Sequence, residues 1–214
     1  MATAAPSKAE LWPLIHQQRA ALAAVLDTVT DAEWETPSLC AAWRVRDVVA
    51  HNIDTFLMTP PRFIGKFAAA GFRFNTMTGR AVANYRDEPT TRLAAEFRER
   101  MGRSTAPPGP LVAMLGEAVI HAEDIARPLG RHVEAAPQSL MIVADYARNT
   151  SPLLHGKQRS AGLTLRATDI EWRAGEGPEV AGPIAAIISA VCGRGAALTD
   201  LSGDGVAILR TRIA

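Results

Sequence analysis

Apolar residues recur at intervals of three and four along most of this chain, and they predict a series of helices. Leu11, Leu14, Ile15, Leu22, Val25 and Leu26 lie on one helical face behind Ser7 and Glu10, a capping-box pair. The spacing predicts a helix from about Lys8 to about Asp27. Thr30 and Glu33 repeat the capping signature and predict a short turn of helix at Asp31–Trp34, closed by Pro37. A second long helix starts near Arg44–Val45, carries Val48, Val49, Ile53, Phe56 and Leu57, and ends at Thr59-Pro60-Pro61. It stops there because a residue preceding proline is pushed out of the α region. The segment 62–84 is only weakly helical, since Gly65, Gly71 and Gly79 interrupt it.

Pro89 suits the first turn of a further helix reaching about Arg103. The run Ala106-Pro107-Pro108-Gly109-Pro110 is a rigid connector, and the next helix holds Leu111, Met114, Leu115, Val119, Ile120 and Ile125 before Pro128-Leu129-Gly130. Another is expected from Pro137 to about Asn149. After Ser151 the pattern changes, because Leu163, Leu165 and Ala167 alternate with polar residues as in a strand. An apolar helix from Pro183 to Cys192 and a closing strand from Val206 to Ile213 follow. The expected fold class is therefore α+β, with an all-helical domain over 1–150 and a small α+β domain over 151–214.

Composition narrows the function classes. The hydrophobic share of 48% and charged share of 21% are those of an ordinary soluble globular protein. A net charge of +1 argues against nucleic acid as an obligate partner, since neutralising phosphates needs a clear basic excess. No signal-like segment is evident near the start, and no stretch approaches the roughly 18 apolar residues that span a bilayer. Cys40 and Cys192 lie far apart and match no CxxC pattern, so both are expected as reduced thiols in a cytoplasmic protein. Oligomeric state is not legible at this level.

One constellation suggests chemistry. His121 follows Glu117 by four residues inside an expected helix, so both side chains face the same way. His51 sits in the middle of another expected helix among apolar neighbours. One histidine from one helix and a Glu/His pair from another make a three-ligand metal site with a further position open for water or substrate. Spacing alone leaves alternatives standing. An ExxxH pair also occurs as a surface ion pair, and a histidine on an apolar helix as a hydrogen-bonded core residue.

The residues around these positions resemble a known family. The stretch from Pro37 to His51 (PSLCAAWRVRDVVAH) resembles the first block of mycothiol-dependent maleylpyruvate isomerases and their DinB-like relatives. The stretch from Gly116 to Gly130 (GEAVIHAEDIARPLG) is similar to the second block, and Gly162–Trp172, Gly177–Pro183 and Gly193-Arg194 look like the C-terminal domain that some members carry. The resemblance implies a DinB-like four-helix bundle followed by a small α/β domain. It also implies a divalent metal held by His51, Glu117 and His121, and mycothiol, a sugar-linked cysteine thiol of actinobacteria, as cosubstrate. Mixed nitrogen and oxygen ligands favour zinc, although nickel and iron use similar sets.

The implied activity is activation of a thiolate for addition to a small-molecule electrophile. That step leads either to cis–trans isomerisation of maleylpyruvate or to mycothiol S-transfer. Asp124, three residues after His121, is expected to steady a ligand ring or contact the thiol, against an alternative ion pair with Arg127. Arg194 is expected to hold a substrate carboxylate, against a role as a cation complementing a helix C-terminus. Cys40 is read as packing, because the family supplies its thiol externally. Two rival readings remain: a metal-dependent hydrolase that uses no thiol, and a non-catalytic metal- or ligand-binding protein.

Overall fold

The computed structural model describes residues 6–40, 42–151 and 154–213. Ala41, inside the stretch that carries the first block of the resemblance, lies outside the described residues. Packing divides the chain into two compact units, Met1–Glu134 and Ala135–Ala214.

The first unit contains α1 (Lys8–Leu26), α2 (Asp31–Trp34), α3 (Val45–Thr55), α4 (Pro60–Ala69), α5 (Phe74–Ala83), α6 (Thr90–Arg100) and α7 (Val112–Ala126). Four of these form the bundle. α1 packs on α6 and α7, and α3 packs on the same two, so the four helices close a ring around one core. That core includes Leu22, Leu26, Trp34, Val48, Ile53, Phe56, Leu93, Phe97 and Ile125. The Phe56 and Phe97 rings meet edge to face at 5.0 Å.

Both expected capping boxes form. The Ser7 amide donates to Glu10 Oε2 at 2.8 Å, and the Thr30 amide donates to Glu33 Oε2 at 2.8 Å. A third device opens α3, where the Arg44 amide donates to Asp47 Oδ2 at 2.9 Å. α3 ends at Thr55, earlier than the prolines suggested, and Pro60 and Pro61 instead occupy the first turn of α4. There their missing N–H groups are no loss. The weakly helical segment resolves into α4 and α5, separated where Gly71 and Phe72 take left-handed backbone angles.

The second unit contains α8 (Pro137–Asn149), α9 (Gly156–Ser160), β1 (Thr164–Ala167), β2 (Arg173–Ala174), β3 (Glu179–Gly182), α10 (Ile184–Val191) and α11 (Gly205–Ile213). The strand order is β2-β1-β3, with β1 antiparallel to β2 and parallel to β3. The sequence reading drew the boundary at residue 150 and put α8 with the bundle. Packing draws it between Glu134 and Ala135, because α8 lays its buried Val143, Ala144 and Ala147 side in a unit where α10 is its main neighbour.

One expected element is corrected. The strand predicted at Val206–Ile213 is the helix α11. Gly205 and Leu209 are its buried residues, spaced by four, and Val206 and Ile208 are only half-buried. The apolar alternation of this short run therefore misleads, since a one-sided helix of this length produces it too. Among the described residues no helix is long and apolar enough to cross a membrane.

Candidate metal centre

The bundle sets three donor side chains at one place. α3 turns Val45, Val48, Val49, Asn52 and Ile53 into the core, which leaves His51 at the edge of that buried face. α7 buries Leu115, Ala118, Val119 and Ala122, so Glu117 and His121 share the adjoining edge one turn apart. Because α3 and α7 pack against each other, the two edges meet. One donor atom from each of His51, Glu117 and His121 lies within 4.8 Å of the other two.

His51 Nε2 is 3.7 Å from Glu117 Oε2, and the two imidazole rings stand edge to face with centroids 5.1 Å apart. The side chains of His51, Glu117 and His121 retain 12%, 22% and 12% of their exposure, so the cluster is sheltered yet reachable from solvent. Donors at ~2 Å from a tetrahedral ion are ~3.3 Å apart, a little less than the 3.7 Å between His51 Nε2 and Glu117 Oε2. Two imidazole nitrogens and one carboxylate oxygen form a donor set suited to a catalytic dication, so the residues present fit the metal that the sequence implied.

Asp124 is fully buried, and its Oδ2 lies 2.9 Å from His121 Nδ1. A carboxylate there holds the proton on Nδ1 and leaves the Nε2 lone pair for a metal. Arg127 also engages in interactions of its own. Burial works to raise the pKa of the Glu117 carboxyl, but the nearby His51 and the charges of His121 and Arg19 outweigh it, so the net shift is downward. Glu117 is held as a carboxylate, the form in which it can ligate.

Two neighbours were not singled out from sequence. Trp43 places its ring 5.1 Å from that of His51. Arg19 is almost wholly buried, with its guanidinium 4.1 Å from the Phe56 ring centroid and Nη1 donating to the carbonyls of Met101 and Arg103 at 3.2 and 3.0 Å. Burial pushes its pKa down to about 10, opposed by the charge of Glu117. A detectable signal existed: Arg19 stands four residues after Ile15 and three before Leu22, in the apolar stripe of its helix.

The loop before α3 is fastened to α7. The Leu39 amide donates to the Asp124 carbonyl at 3.1 Å, while Ser38 and Trp43 close the loop through an amide-to-carbonyl bond of 2.9 Å. Cys40 in this loop is half-buried and Cys192 is buried. Arg194 belongs to the second unit, where Nη1 donates to the Cys192 carbonyl at 3.0 Å, a cation at the carboxyl end of α10.

Comparison with known proteins points to one family. Residues 15–106 match the model of the mycothiol maleylpyruvate isomerase N-terminal domain, a span that includes His51 and stops short of Glu117 and His121. No curated protein matches the chain. Among solved structures, the crystal structure of the mycothiol-dependent maleylpyruvate isomerase is similar with a TM-score of 0.61 and 18% identity, covering 93% of each chain. A histidine-to-alanine mutant of the mycothiol-dependent maleylpyruvate isomerase gives 0.58 at the same identity and coverage. Residues 15–106 are thus similar to the mycothiol maleylpyruvate isomerase N-terminal domain, and the chain has the fold of the mycothiol-dependent maleylpyruvate isomerase over 93% of its length.

Proposed function

We propose that this protein is a metal-dependent enzyme that uses mycothiol to attack an electrophilic carbon, in the manner of a maleylpyruvate isomerase. The observation that carries the reading is the His51, Glu117 and His121 cluster, drawn from two helices and partly exposed. The match over residues 15–106 and the shared fold support mycothiol as the thiol.

The task for such a site is to ionise a thiol near neutral pH. A free thiol has a pKa near ~8.5, so only a few per cent is thiolate at pH 7. A dication, zinc by the chemistry of the donor set, would supply the positive charge that favours the thiolate. As ligands the two imidazoles are neutral and Glu117 is anionic, so this chain neutralises half of a dication's charge and leaves the rest to act on sulfur. Asp124 fixes the His121 ring. Burial of the cluster at a bundle edge limits water around it.

Addition of the thiolate to the cis double bond of maleylpyruvate forms a carbon–sulfur bond and turns the double bond into a single one. Rotation followed by loss of the same thiol returns the trans double bond, so nothing is consumed. In S-transfer the adduct would instead be released. Cys40 has no part in this scheme.

A product assay tests the reading. Purified protein with zinc, mycothiol and maleylpyruvate should yield the trans isomer, and omission of either zinc or mycothiol should abolish turnover. A mycothiol adduct accumulating with maleylpyruvate or another electrophile would assign S-transfer. Turnover that persists without any thiol would replace the proposal with hydrolysis.

A further inference from the structure

A cavity of about 290 Å³ lies within the same unit, between the start of α3 and one face of α5, and one of its lining residues, Trp43, has its ring 5.1 Å from that of His51. Trp43, Arg44, Asp47, Gly79, Val82 and Arg86 are among its lining residues. We propose that this cavity holds the polyhydroxylated, sugar-like body of the thiol cosubstrate, with Trp43 as the wall it shares with His51. The inference rests on the thiol-using reading above and specifies how that thiol is held.

Reach is the first argument. Asp47 precedes His51 by four residues on α3, one helical turn or about 6 Å along the axis. The Trp43 ring is 5.1 Å from the His51 ring. A ligand body in the cavity is thus one short arm away from the donor cluster, the span of a cysteinyl group rather than of a second large ring. The volume is that of about ten waters, enough for a ring-sized polar group.

The lining supplies the second argument. Arg44 grips Asp47 in a bidentate pair, Nε to Oδ2 at 3.0 Å and Nη2 to Oδ1 at 3.2 Å. Side by side, the pair offers donors and acceptors in alternation, which is what neighbouring hydroxyls require. Trp43 adds an aromatic surface for the C–H faces of a sugar ring. The Arg86 side chain has no ion-pair or hydrogen-bond partner among the described residues, and it lines this cavity with its donors uncommitted. An apolar ligand would strip water from two guanidinium groups and a carboxylate without replacing it, an unfavourable exchange.

The third argument is how the space is kept. Gly79 lies inside α5 with ordinary helical angles, and a Cβ built on it would meet nothing within 4 Å. Glycine inside a helix is about 1 kcal/mol less favourable than alanine. No close contact explains it here, and its missing side chain enlarges the cavity. At the rim, Ala42 has a φ of 68°, a left-handed conformation that a non-glycine residue holds only against strain.

Calorimetric titration of the zinc-loaded protein with mycothiol, and in parallel with N-acetylcysteine, tests the site. Gly79→Phe extends into the cavity from a position where an added Cβ meets nothing within 4 Å, and Arg86→Ala removes the uncommitted donors. Each should weaken mycothiol binding by about tenfold or more. Zinc content and affinity for N-acetylcysteine, which lacks the sugar body, should be unchanged. Wild-type mycothiol affinity in both variants would overturn the site while leaving the functional reading intact. An equal loss for both thiols would overturn it too, because the effect would then lie at the donor cluster. Absence of any thiol binding by the wild-type holoprotein would remove the functional reading, and this site with it.

Discussion

His51, Glu117 and His121 differ from other polar residues of the bundle in that three helix-borne donors point at one another without satisfying one another. The His51–Glu117 separation of 3.7 Å is too long for a good hydrogen bond and suits a shared ion better. Replacing any one of them by alanine removes one of three protein ligands. Zinc measured by atomic absorption should fall to sub-stoichiometric levels in each variant, with activity falling in step. Asp124→Asn keeps the ligands but loosens the His121 ring. Its zinc affinity should drop by about 10- to 100-fold in a competitive chelator titration. Full metal occupancy in all three alanine variants would remove the centre.

A second residue-scale expectation concerns acid stability. Hydrogen bonds from Arg131, then from Thr30, hold the Glu33 carboxyl down to about 2 from its ordinary 4.5. Since the folded value is the lower one, this interaction stabilises fully above pH 4.5 and is lost as pH falls towards about 2. Glu33→Gln should therefore flatten the pH dependence of the melting temperature across that window and lower it near neutrality. A parallel shift at all pH values would contradict the assignment.

At the scale of elements, the helices were legible wherever a cap and a long apolar period coincided. Ser7 with Glu10, and the sustained stripe after it, leave few alternatives to α1. The prolines were read correctly as boundaries but given the wrong side, because Pro60 and Pro61 can both stop one helix and start another. α11 was missed since eight residues are too few to separate periods of two and four. Its position depends on Gly205, whose added Cβ would stand 2.7 Å from the Pro178 carbonyl oxygen and 2.8 Å from a Val180 methyl. Gly205→Ala should destabilise the protein by about 1–3 kcal/mol in a denaturant melt, as overpacking does. An unchanged melt would mean that α11 is free to shift off β3.

Within the site, the ligands were legible as residue types but not as a geometry. Spacing places Glu117 and His121 on one face, yet nothing in spacing says that α3 and α7 are neighbours. That pairing comes from packing of the whole core, and so does the approach of Trp43 to His51. Arg19 was passed over for a related reason: although it stands in the apolar stripe, a cation there reads as a surface interruption until the bundle closes over it.

For the molecule as a whole, the two units differ in what they can gain from a metal. The donors all lie in the first unit, on helices that are separated by many residues in sequence. An ion that binds only the folded state stabilises it by about 4 kcal/mol at a free concentration a thousand times its dissociation constant. Zinc should therefore raise the wild-type melting temperature and leave that of His121→Ala nearly unmoved in calorimetry. Equal shifts in both proteins would point to adventitious surface binding.

The bond from the Leu39 amide to the Asp124 carbonyl joins two backbones and asks nothing of either side chain. Evolution can therefore rewrite the letters of that loop while its mooring survives, with proline at 39 as the substitution it forbids. A tie of this kind constrains shape without constraining spelling, and this chain shares its fold with a structure to which fewer than one residue in five is identical.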